Sequence, residues 1–356
     1  MPKLRALIPL AAILAALGGS AFPAAAALKA VKMMPVSPDS AAVQLVERAR
    51  IAAALKAAFL AWAKQDGVKN AALAIVDDGA ITDSVGLGSD NPTKPEPVAS
   101  ESKSVTAMCV LKLVEAGKLK FSDTLGQRLP DYFAANPPHD PAAKNITLAS
   151  LLTHSSRIDY DPTQGSALEQ FKPYDKTAYA KELAAALAKP LGKPKYFYNN
   201  INYDALGLVI ATVTGKSYDD YCRQTVLEPA GITDAKLNPQ WMVMGSFGGW
   251  MLSADDEVKF LAYFDPATRL IGTPAKTWPK KATGGGVSYS LGTLMRPAGS
   301  WFNFWHFGSW SSGSSSFGAY FARWSNGVGV AATYQPTISD KAGSDLDQAM
   351  SNAGGS

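Results

Sequence analysis

Strand-like patterns occur only near the two ends of this sequence, and the residues between them have helical patterns. Near residue 75 the runs ALAIV and AITDSVGLG are joined by Asp77, Asp78 and Gly79. An Asp-Gly pair between two such runs indicates a hairpin turn. Toward the other end, four further runs alternate or are apolar throughout: VSYSLGTLMR, WFNFWHFG, SSFGAYFARW and GVGVAATYQ. The pattern predicts one sheet assembled from both ends.

Helical patterns fill most of the remaining sequence. From Ser40 to about Lys64 the apolar side chains recur at helical spacing, which predicts one long helix. Between Gly117 and about Asp234, short helices alternate with Pro-rich loops and strand patterns nearly vanish. The arrangement predicts an α+β fold with a mainly antiparallel sheet and an inserted all-α domain.

Two parts of the chain that are far apart in sequence contribute to the predicted sheet domain. We expect residues 40–99 and 240–356 to form it, and residues 100–239 to form a mainly helical domain. Hydrophobic residues make up 47% of the sequence and charged residues 18%, so the chain has the composition to bury a large core. The active cleft is expected where the helical insertion meets the sheet.

The N-terminus has the layout of a cleaved secretory signal over residues 1–27. Lys3 and Arg5 precede an apolar run from residue 6 to 17, and small residues follow around Ala24 to Ala27. A membrane anchor is the alternative, but a span needs about 20 apolar residues and this run is shorter. We expect a periplasmic or secreted protein with no stable membrane insertion after cleavage.

The charge of the chain argues against a nucleic-acid partner, and its motifs argue against a metal or a cofactor. The formal net charge of +4 falls to +2 without Lys3 and Arg5, which is too small and too scattered for a surface that follows phosphates. We therefore expect no nucleic-acid partner. His139, His154 and His306 stand too far apart in sequence to propose a local metal pair, and H-E-x-x-H and C-x-x-C are absent. We expect no metal and no cofactor.

Two cysteines, Cys109 and Cys222, both lie in helical and largely apolar patterns. This setting is typical of buried free thiols, and we expect two of them. The alternative is a disulfide, because export delivers a chain to an oxidising compartment.

The first candidate for chemistry is the S-x-x-K formed by Ser100 and Lys103 at the start of a predicted helix. Residues three apart share a helix face, so the lysine amine is expected beside the serine hydroxyl. A lysine whose pKa is depressed by desolvation can activate a serine nucleophile. Two common residues at this spacing also occur by chance, so the motif alone is not specific.

Two further short motifs add polar groups. Tyr198 and Asn200 form a Y-x-N just before a helix; a tyrosine beside a lysine can move a proton, and an asparagine can donate to a substrate carbonyl. His306 and Gly308 form an H-x-G on a predicted strand, where the glycine would let a substrate backbone approach and the histidine would reach a substrate or Tyr198. The alternatives are ordinary aromatic packing in a loop and a satisfied histidine in a strand.

Longer stretches around these motifs resemble the serine β-lactamase-related hydrolases. This family includes class C β-lactamases, DD-peptidases, D-aminopeptidases and family VIII carboxylesterases. The stretches that carry the resemblance are VASESKSVTAMCVLKLVEAGKLKFSDTLGQRLP, ITLASLLTHSSRID, YNNINYDALGLVIATVTGKSYDDYCRQTVLEPAGI and GGWMLSADDEVKFL. The resemblance covers nearly all of the expected mature chain, and it implies a three-layer α/β/α sandwich of the β-lactamase/transpeptidase type with its helical insertion.

The resemblance also implies roles for individual residues. Ser100 would form the acyl-enzyme, Lys103 would assist its deprotonation, and Tyr198 would act as the shared acid and base. Asn200 would orient the substrate amide. The backbone amides of Ser100 and Ser309 would form the oxyanion hole.

Departures from the family pattern bear on the substrate. Ser155, Ser156 and Arg157 replace the usual Thr-Ser-Gly after the histidine of the LLTH segment. His306 replaces the lysine of the K-T-G motif of class C β-lactamases, and that lysine helps to hold a β-lactam carboxylate. We therefore expect an esterase or a D-amino-acid peptidase acting on a small molecule, a short peptide or an ester. The alternatives are a β-lactamase and a penicillin-binding sensor that is acylated without turnover.

Aromatic residues crowd the strand of the H-x-G motif, which suggests an apolar ligand; they are Trp301, Phe302, Phe304, Trp305, Phe307 and Trp310. Because side chains alternate along a strand, the alternative is that half of them face the core.

Overall fold

The computed structural model of the chain describes residues 41–164, 178–312 and 315–355. The predicted signal segment 1–27 lies outside them. Contacts divide the chain into residues 1–47 and residues 48–356. Of the first unit only 41–47 is described, as the start of a helix, and all that follows concerns the second. Within the described ranges no helix is both long enough and apolar enough to span a bilayer.

Strands from both ends of the second unit form one eight-stranded sheet in the order β2-β1-β11-β10-β9-β8-β7-β6, and every pair of neighbours is antiparallel. A small sheet in the order β3-β5-β4 lies beside the turn that carries Ser100. The strands are β1 Asn70–Asp77, β2 Ala80–Leu87, β3 Glu96–Pro97, β4 Lys236–Leu237, β5 Trp250–Leu252, β6 Lys281–Gly284, β7 Val287–Ser290, β8 Thr293–Ala298, β9 Trp301–Ser312, β10 Ser315–Arg323 and β11 Val328–Gln335.

The first hairpin is the predicted one. Asp78 and Gly79 connect β1 to β2 with φ values of 46° and 79°, and positive φ at both central residues is the geometry that Asp-Gly favours in a two-residue turn. The partner of β1 on its other side is β11, from the opposite end of the chain. The prediction of a sheet assembled from both ends is confirmed.

Helices pack on both faces of the sheet, and further helices pack on one another. Those of the described residues are α1 Ala41–Gln65, α2 Ser102–Glu115, α3 Leu125–Arg128, α4 Pro130–Ala135, α5 Leu148–Leu152, α6 Ala178–Leu187, α7 Ile201–Thr214, α8 Tyr218–Cys222, α9 Gly245–Gly248, α10 Ala254–Phe260 and α11 Asp340–Gly354. Gly117, with φ 68°, follows the end of α2 as a left-handed residue, and Ser253 caps α10 through the amide of Asp256.

The alternation of side chains along β1 explains the three layers. Leu73 and Ile75 pack in a core that also contains Phe59 of α1 and Leu346 of α11. The residues that alternate with these along β1, such as Ala74, point to the opposite face of the sheet. They belong to the larger core shared with α2, α7 and α10. The predicted three-layer α+β architecture is confirmed. The predicted division into a sheet domain of residues 40–99 and 240–356 and a helical domain of residues 100–239 stays a prediction.

The two cysteines form a disulfide, so the prediction of two free thiols was wrong. Cys109 lies in α2 and Cys222 at the end of α8, with their Cα atoms 5.6 Å apart. Each helix alone shows only that its cysteine faces a core. Because α2 and α8 pack in the same core, the two apolar faces bring the thiols within bonding reach.

Candidate active site

The turn that carries Ser100 begins at a strained residue. Ala99 has φ 45°, in the left-handed region that residues other than glycine seldom adopt. A 3₁₀ turn over Ala99–Glu101 then leads into α2, and Ser100 lies half-buried in a cleft. Gly308 of β9 packs against this turn so closely that a Cβ atom would lie 2.1 Å from the carbonyl oxygen of Val98. This contact, rather than the approach of a substrate backbone, accounts for the glycine.

Lys103 lies one helical turn after Ser100, as the spacing predicts. Its Nζ is 2.9 Å from Ser100 Oγ and also donates to the carbonyl oxygen of Phe247 at 2.9 Å. The lysine is fully buried, and desolvation lowers its pKa to about 7, although the carboxylates of Asp161 and Asp204 act in the opposite direction. A large fraction of the amine is therefore neutral near neutral pH, which is the form that accepts a proton.

Tyr198 completes a three-residue cluster with Ser100 and Lys103. Its ring lies 4.9 Å from Lys103 Nζ, and the side chain of Ser100 is close enough to its hydroxyl group to act on the pKa of the phenol. The residue is 39% exposed, toward the cleft, while its hydroxyl end is desolvated, and this raises the pKa of the phenol. The phenol therefore keeps its proton at neutral pH. The structure brings the three predicted side chains together, and their catalytic roles stay predictions.

Asn200 lies beside the same cleft with its amide nitrogen already engaged. Nδ2 donates to Thr163 Oγ1 at 3.0 Å, and the backbone amide of Asn200 donates to Asp161 Oδ2 at 3.0 Å. Oδ1 is buried and has no hydrogen-bond partner among the described residues. Nδ2 carries a second N–H besides the one given to Thr163, so both ends of the side-chain amide keep hydrogen-bonding capacity. The predicted donation from Asn200 to a substrate carbonyl stays a prediction.

His306 lines the cleft and is held in one neutral form. Its Nδ1 contacts the carbonyl oxygen of Phe307 at 2.7 Å and so carries the proton, which leaves Nε2 to accept from the hydroxyl of Tyr289 at 3.1 Å. Desolvation, with the nearby charge of Lys103, lowers the pKa of His306 to about 3. Ser309 is exposed on the same strand and also lines the cleft, with its hydroxyl 2.6 Å from that of Thr337.

The cleft between sheet and helices has a volume of about 520 Å³ and is largely aromatic. Its aromatic lining residues are Tyr196, Phe197, Tyr198, Phe247, Tyr289, Phe307 and Trp310. Asp161 is the one carboxylate among the described lining residues, which include no lysine or arginine. Phe304, by contrast, faces the core, so the strand aromatics are divided between ligand cleft and core.

Three residues at the site were not identified from the sequence. Tyr289 comes from a strand whose pattern only indicated a β structure, and the contact with His306 depends on sheet register. Phe247 contributes its backbone carbonyl oxygen, and a backbone contact cannot be predicted from the type of side chain. His154 was noted only as an isolated histidine, although it lies directly behind Tyr198, with ring centroids 4.3 Å apart.

In the described part of the chain, no cluster of His, Cys, Asp or Glu is placed to hold a metal ion.

A desolvated lysine, rather than a histidine, lies next to Ser100. Together with the fold, this arrangement is typical of the class of serine hydrolases that use a lysine beside the serine. The family follows from the sequence: residues 46–350 match the profile of the Beta-lactamase family, and the chain belongs to that family.

Individual relatives agree with this assignment. The chain is 31% identical over 182 residues to the protein PbpX of Bacillus subtilis (strain 168), a match that covers 49% of this chain and 42% of that protein. The chain thus spans less than half the length of the curated relatives it matches.

Solved structures share the fold. A D-stereospecific amidohydrolase from Streptomyces sp. superposes with a TM-score of 0.68 at 20% identity, covering 84% of this chain and 98% of that one. A class C β-lactamase from Rhodobacter sphaeroides gives a TM-score of 0.66 at 15% identity, with coverages of 84% and 98%. At these identities the likeness concerns the fold alone.

Proposed function

We propose that this protein is exported and cleaves an ester or an amide through an acyl-serine intermediate, with the selectivity of an esterase or a D-amino-acid peptidase. The observation that carries the proposal is the contact of 2.9 Å between Lys103 Nζ and Ser100 Oγ, made by a buried amine with a pKa of about 7. A neutral amine at hydrogen-bonding distance is what a serine hydroxyl needs to become a nucleophile.

In the proposed reaction, Lys103 takes the proton of Ser100 as Oγ attacks the substrate carbonyl. The oxyanion accepts hydrogen bonds from the backbone amides of Ser100 and Ser309. Tyr198 gives a proton to the leaving alcohol or amine, and a water molecule then attacks the acyl-enzyme with Tyr198 as the base. The resulting acid leaves and Ser100 regains its proton.

The charge of the cleft supports the proposed selectivity. Asp161 brings a negative charge to an aromatic surface, and no lysine or arginine is among the described lining residues. A substrate with a carboxylate beside its scissile bond would find no lysine or arginine among these lining residues to pair with, whereas a neutral or amine-bearing acyl group needs none. This favours esters and aminoacyl amides over β-lactams.

The proposal is tested with Ser100→Ala and a p-nitrophenyl ester. We expect turnover to fall by several orders of magnitude to a small residual rate, because only binding and the oxyanion hole then contribute. Ser104→Ala is the matched control: this buried serine of α2 donates to the carbonyl oxygen of Glu101 and has no place in the reaction. Undiminished turnover by Ser100→Ala would refute the assignment of the nucleophile.

A substrate panel separates the candidate activities. Short-chain and long-chain esters, D-aminoacyl p-nitroanilides, D-Ala peptides and nitrocefin are compared by kcat/KM. We expect esters or D-aminoacyl amides to exceed nitrocefin by at least about tenfold, which corresponds to about 1.4 kcal/mol. Faster turnover of nitrocefin would favour the β-lactamase alternative. A persistent β-lactam adduct in the intact mass, without turnover of any substrate, would favour the sensor.

Export is proposed from residues 1–27 and is supported by the disulfide between Cys109 and Cys222, since such bonds persist in oxidising compartments. Expression of the full sequence followed by fractionation and N-terminal sequencing is the test. We expect a processed chain that starts near residue 28 in the periplasm or medium. An unprocessed chain retained with the cytoplasm would contradict export.

A further inference from the structure

His154 occupies a backbone position that is costly for a side chain. It lies just after α5, is 1% exposed and has φ 51°, in the left-handed region. A residue other than glycine held in such a conformation costs of the order of 1 kcal/mol or more, and strain of this kind often marks a site where the side chain is used. A glycine would remove the strain but would also remove the imidazole.

The backbone and the imidazole of His154 together hold both neighbours of Tyr198. The carbonyl oxygen of His154 accepts from the amide of Phe197 at 2.8 Å. Its Nδ1 accepts from the amide of Asn199 at 3.3 Å. The residues immediately before and after the tyrosine are therefore both hydrogen-bonded to one histidine, which fixes the backbone of Tyr198 from two sides.

The ring of His154 also supports the phenol directly. Its centroid lies 4.3 Å from that of Tyr198, and the ring of Tyr289 packs on it as well, at 4.6 Å. Both distances are within the range of close aromatic packing. The ring thus forms the wall behind the tyrosine, on the side away from the open cleft.

The hydrogen bonds of His154 also define its protonation state. Nδ1 accepts a second hydrogen bond, from Asn202 Nδ2 at 2.9 Å, so the neutral ring carries its proton on Nε2. Burial, and the nearby charge of Lys103, lower the pKa of His154 well below its usual value. A neutral imidazole at this place supports Tyr198 without adding a positive charge beside the lysine.

We propose that His154 is a positioning residue that fixes the hydroxyl of Tyr198 against Ser100. The proposal rests on the function proposed above, in which Tyr198 moves the protons. His154 itself touches no substrate and lies outside the residues that line the cleft.

The test is a double-mutant cycle on hydrolysis of the p-nitrophenyl ester. His154→Phe keeps an aromatic ring behind the tyrosine and removes the acceptor for Asn199. We expect kcat to fall about 10- to 100-fold with KM within about twofold, because a displaced Tyr198 is a poorer base for the water that attacks the acyl-enzyme and does not affect the bound ester. In the Tyr198→Phe background the same substitution is expected to change kcat less than about threefold.

The outcomes separate this proposal from the one it rests on. If His154→Phe lowers kcat equally with and without the tyrosine hydroxyl, or does not lower it, the positioning role is overturned while the function of Tyr198 stands. If Tyr198→Phe alone keeps full turnover, the proposed role of the tyrosine fails and the positioning role fails with it. His139→Phe, at an exposed histidine, is the control and should keep wild-type kcat.

A second variant covers the case in which His154→Phe does not fold. His154→Asn relieves the backbone strain, because asparagine tolerates the left-handed region, and it removes the ring. We expect a melting temperature near that of wild type and the same fall in kcat. A folded His154→Asn variant with wild-type kcat overturns the proposal.

Discussion

The turn that carries Ser100 buries ionisable side chains on both of its sides, and burial moves their pKa values in opposite directions. On the cleft side, Lys103 is enclosed without an ion-pair partner among the described residues. On the sheet side, Glu101 is 2% exposed and lies against Glu257 of α10, which is equally buried. None of the four carboxyl oxygens has a basic partner in the described part of the chain.

Desolvation acts on both sides and favours the neutral form of each group. It lowers the pKa of Lys103 from its ordinary 10.5 to about 7. It raises the pKa of Glu101 and of Glu257 well above their ordinary 4.5. The charge of Glu257 raises the pKa of Glu101 further, whereas the interaction with Glu101 acts on the pKa of Glu257 in the opposite direction. The same apolar surroundings thus produce a usable base on one side and a proton-retaining carboxyl pair on the other.

The consequences for stability have opposite signs. Between pH 7 and 10.5 the unfolded chain binds a proton at Lys103 that the folded chain does not, so this group makes the folded state more stable as pH rises. Above about pH 4.5 the unfolded chain loses the carboxyl protons that the folded chain keeps, so the glutamate pair makes the folded state less stable as pH rises.

The largest expected effect comes from Lys103→Met, which removes the amine and keeps the length of the side chain. We expect kcat/KM for an ester to fall about 10³-fold, as for the loss of a general base. In the wild-type protein, Lys103 adds at most about 1.4 kcal/mol per pH unit to the free energy of unfolding between pH 7 and 10. Urea titrations of the variant should show no such increase. A variant that keeps the rate would show that another group deprotonates Ser100.

The pH dependence of the wild-type rate is the next test. We expect kcat/KM to rise about tenfold per pH unit up to about pH 7 and then to level off, because only the neutral amine accepts the serine proton. His306, whose pKa is about 3, does not titrate in this range.

Asp161→Asn provides a matched variant for that profile. The Asp161 carboxylate raises the pKa of Lys103, so its removal should move the midpoint of the rate profile to lower pH. A profile that is flat from pH 5 to 9, or a midpoint that does not move in the variant, would contradict the assignment of the base to Lys103.

The smallest effect on turnover is expected from Glu257→Gln. At pH 8 this variant should melt a few degrees above wild type, because an amide needs no proton to stay neutral when buried, and near pH 4.5 the difference should vanish. We expect kcat within about twofold of wild type. Glu101→Gln combined with Glu257→Gln should add little, since the two carboxyls act as a pair. A lower melting temperature at pH 8 would show that the pair stabilises the fold.

Local chemistry made parts of the fold predictable. The Asp78-Gly79 turn, the Ser253 cap and the placement of Lys103 beside Ser100 depend on residues at most a few positions apart, so residue type and spacing were sufficient. The meeting of strands from both ends followed from strand patterns that occur nowhere else in the sequence.

Contacts between distant elements were not predictable in the same way. Cys109 and Cys222, and Glu101 and Glu257, meet because their helices or turns pack on one core. Each cysteine taken alone showed only an apolar helical neighbourhood, and nothing in the sequence linked the two glutamates. The reason for Gly308 could not be predicted either, because it depends on how closely β9 approaches the turn that carries Ser100.

The link between Cys109 and Cys222 spans 113 positions and encloses Tyr198 in a covalently closed loop. A protease that cuts the chain once inside this loop leaves two fragments that cannot diffuse apart until the link is reduced. Nicked protein would therefore migrate at full mass on a non-reducing gel and as two bands after thiol treatment. With only two cysteines in the sequence, there is also no incorrect intramolecular partner to choose.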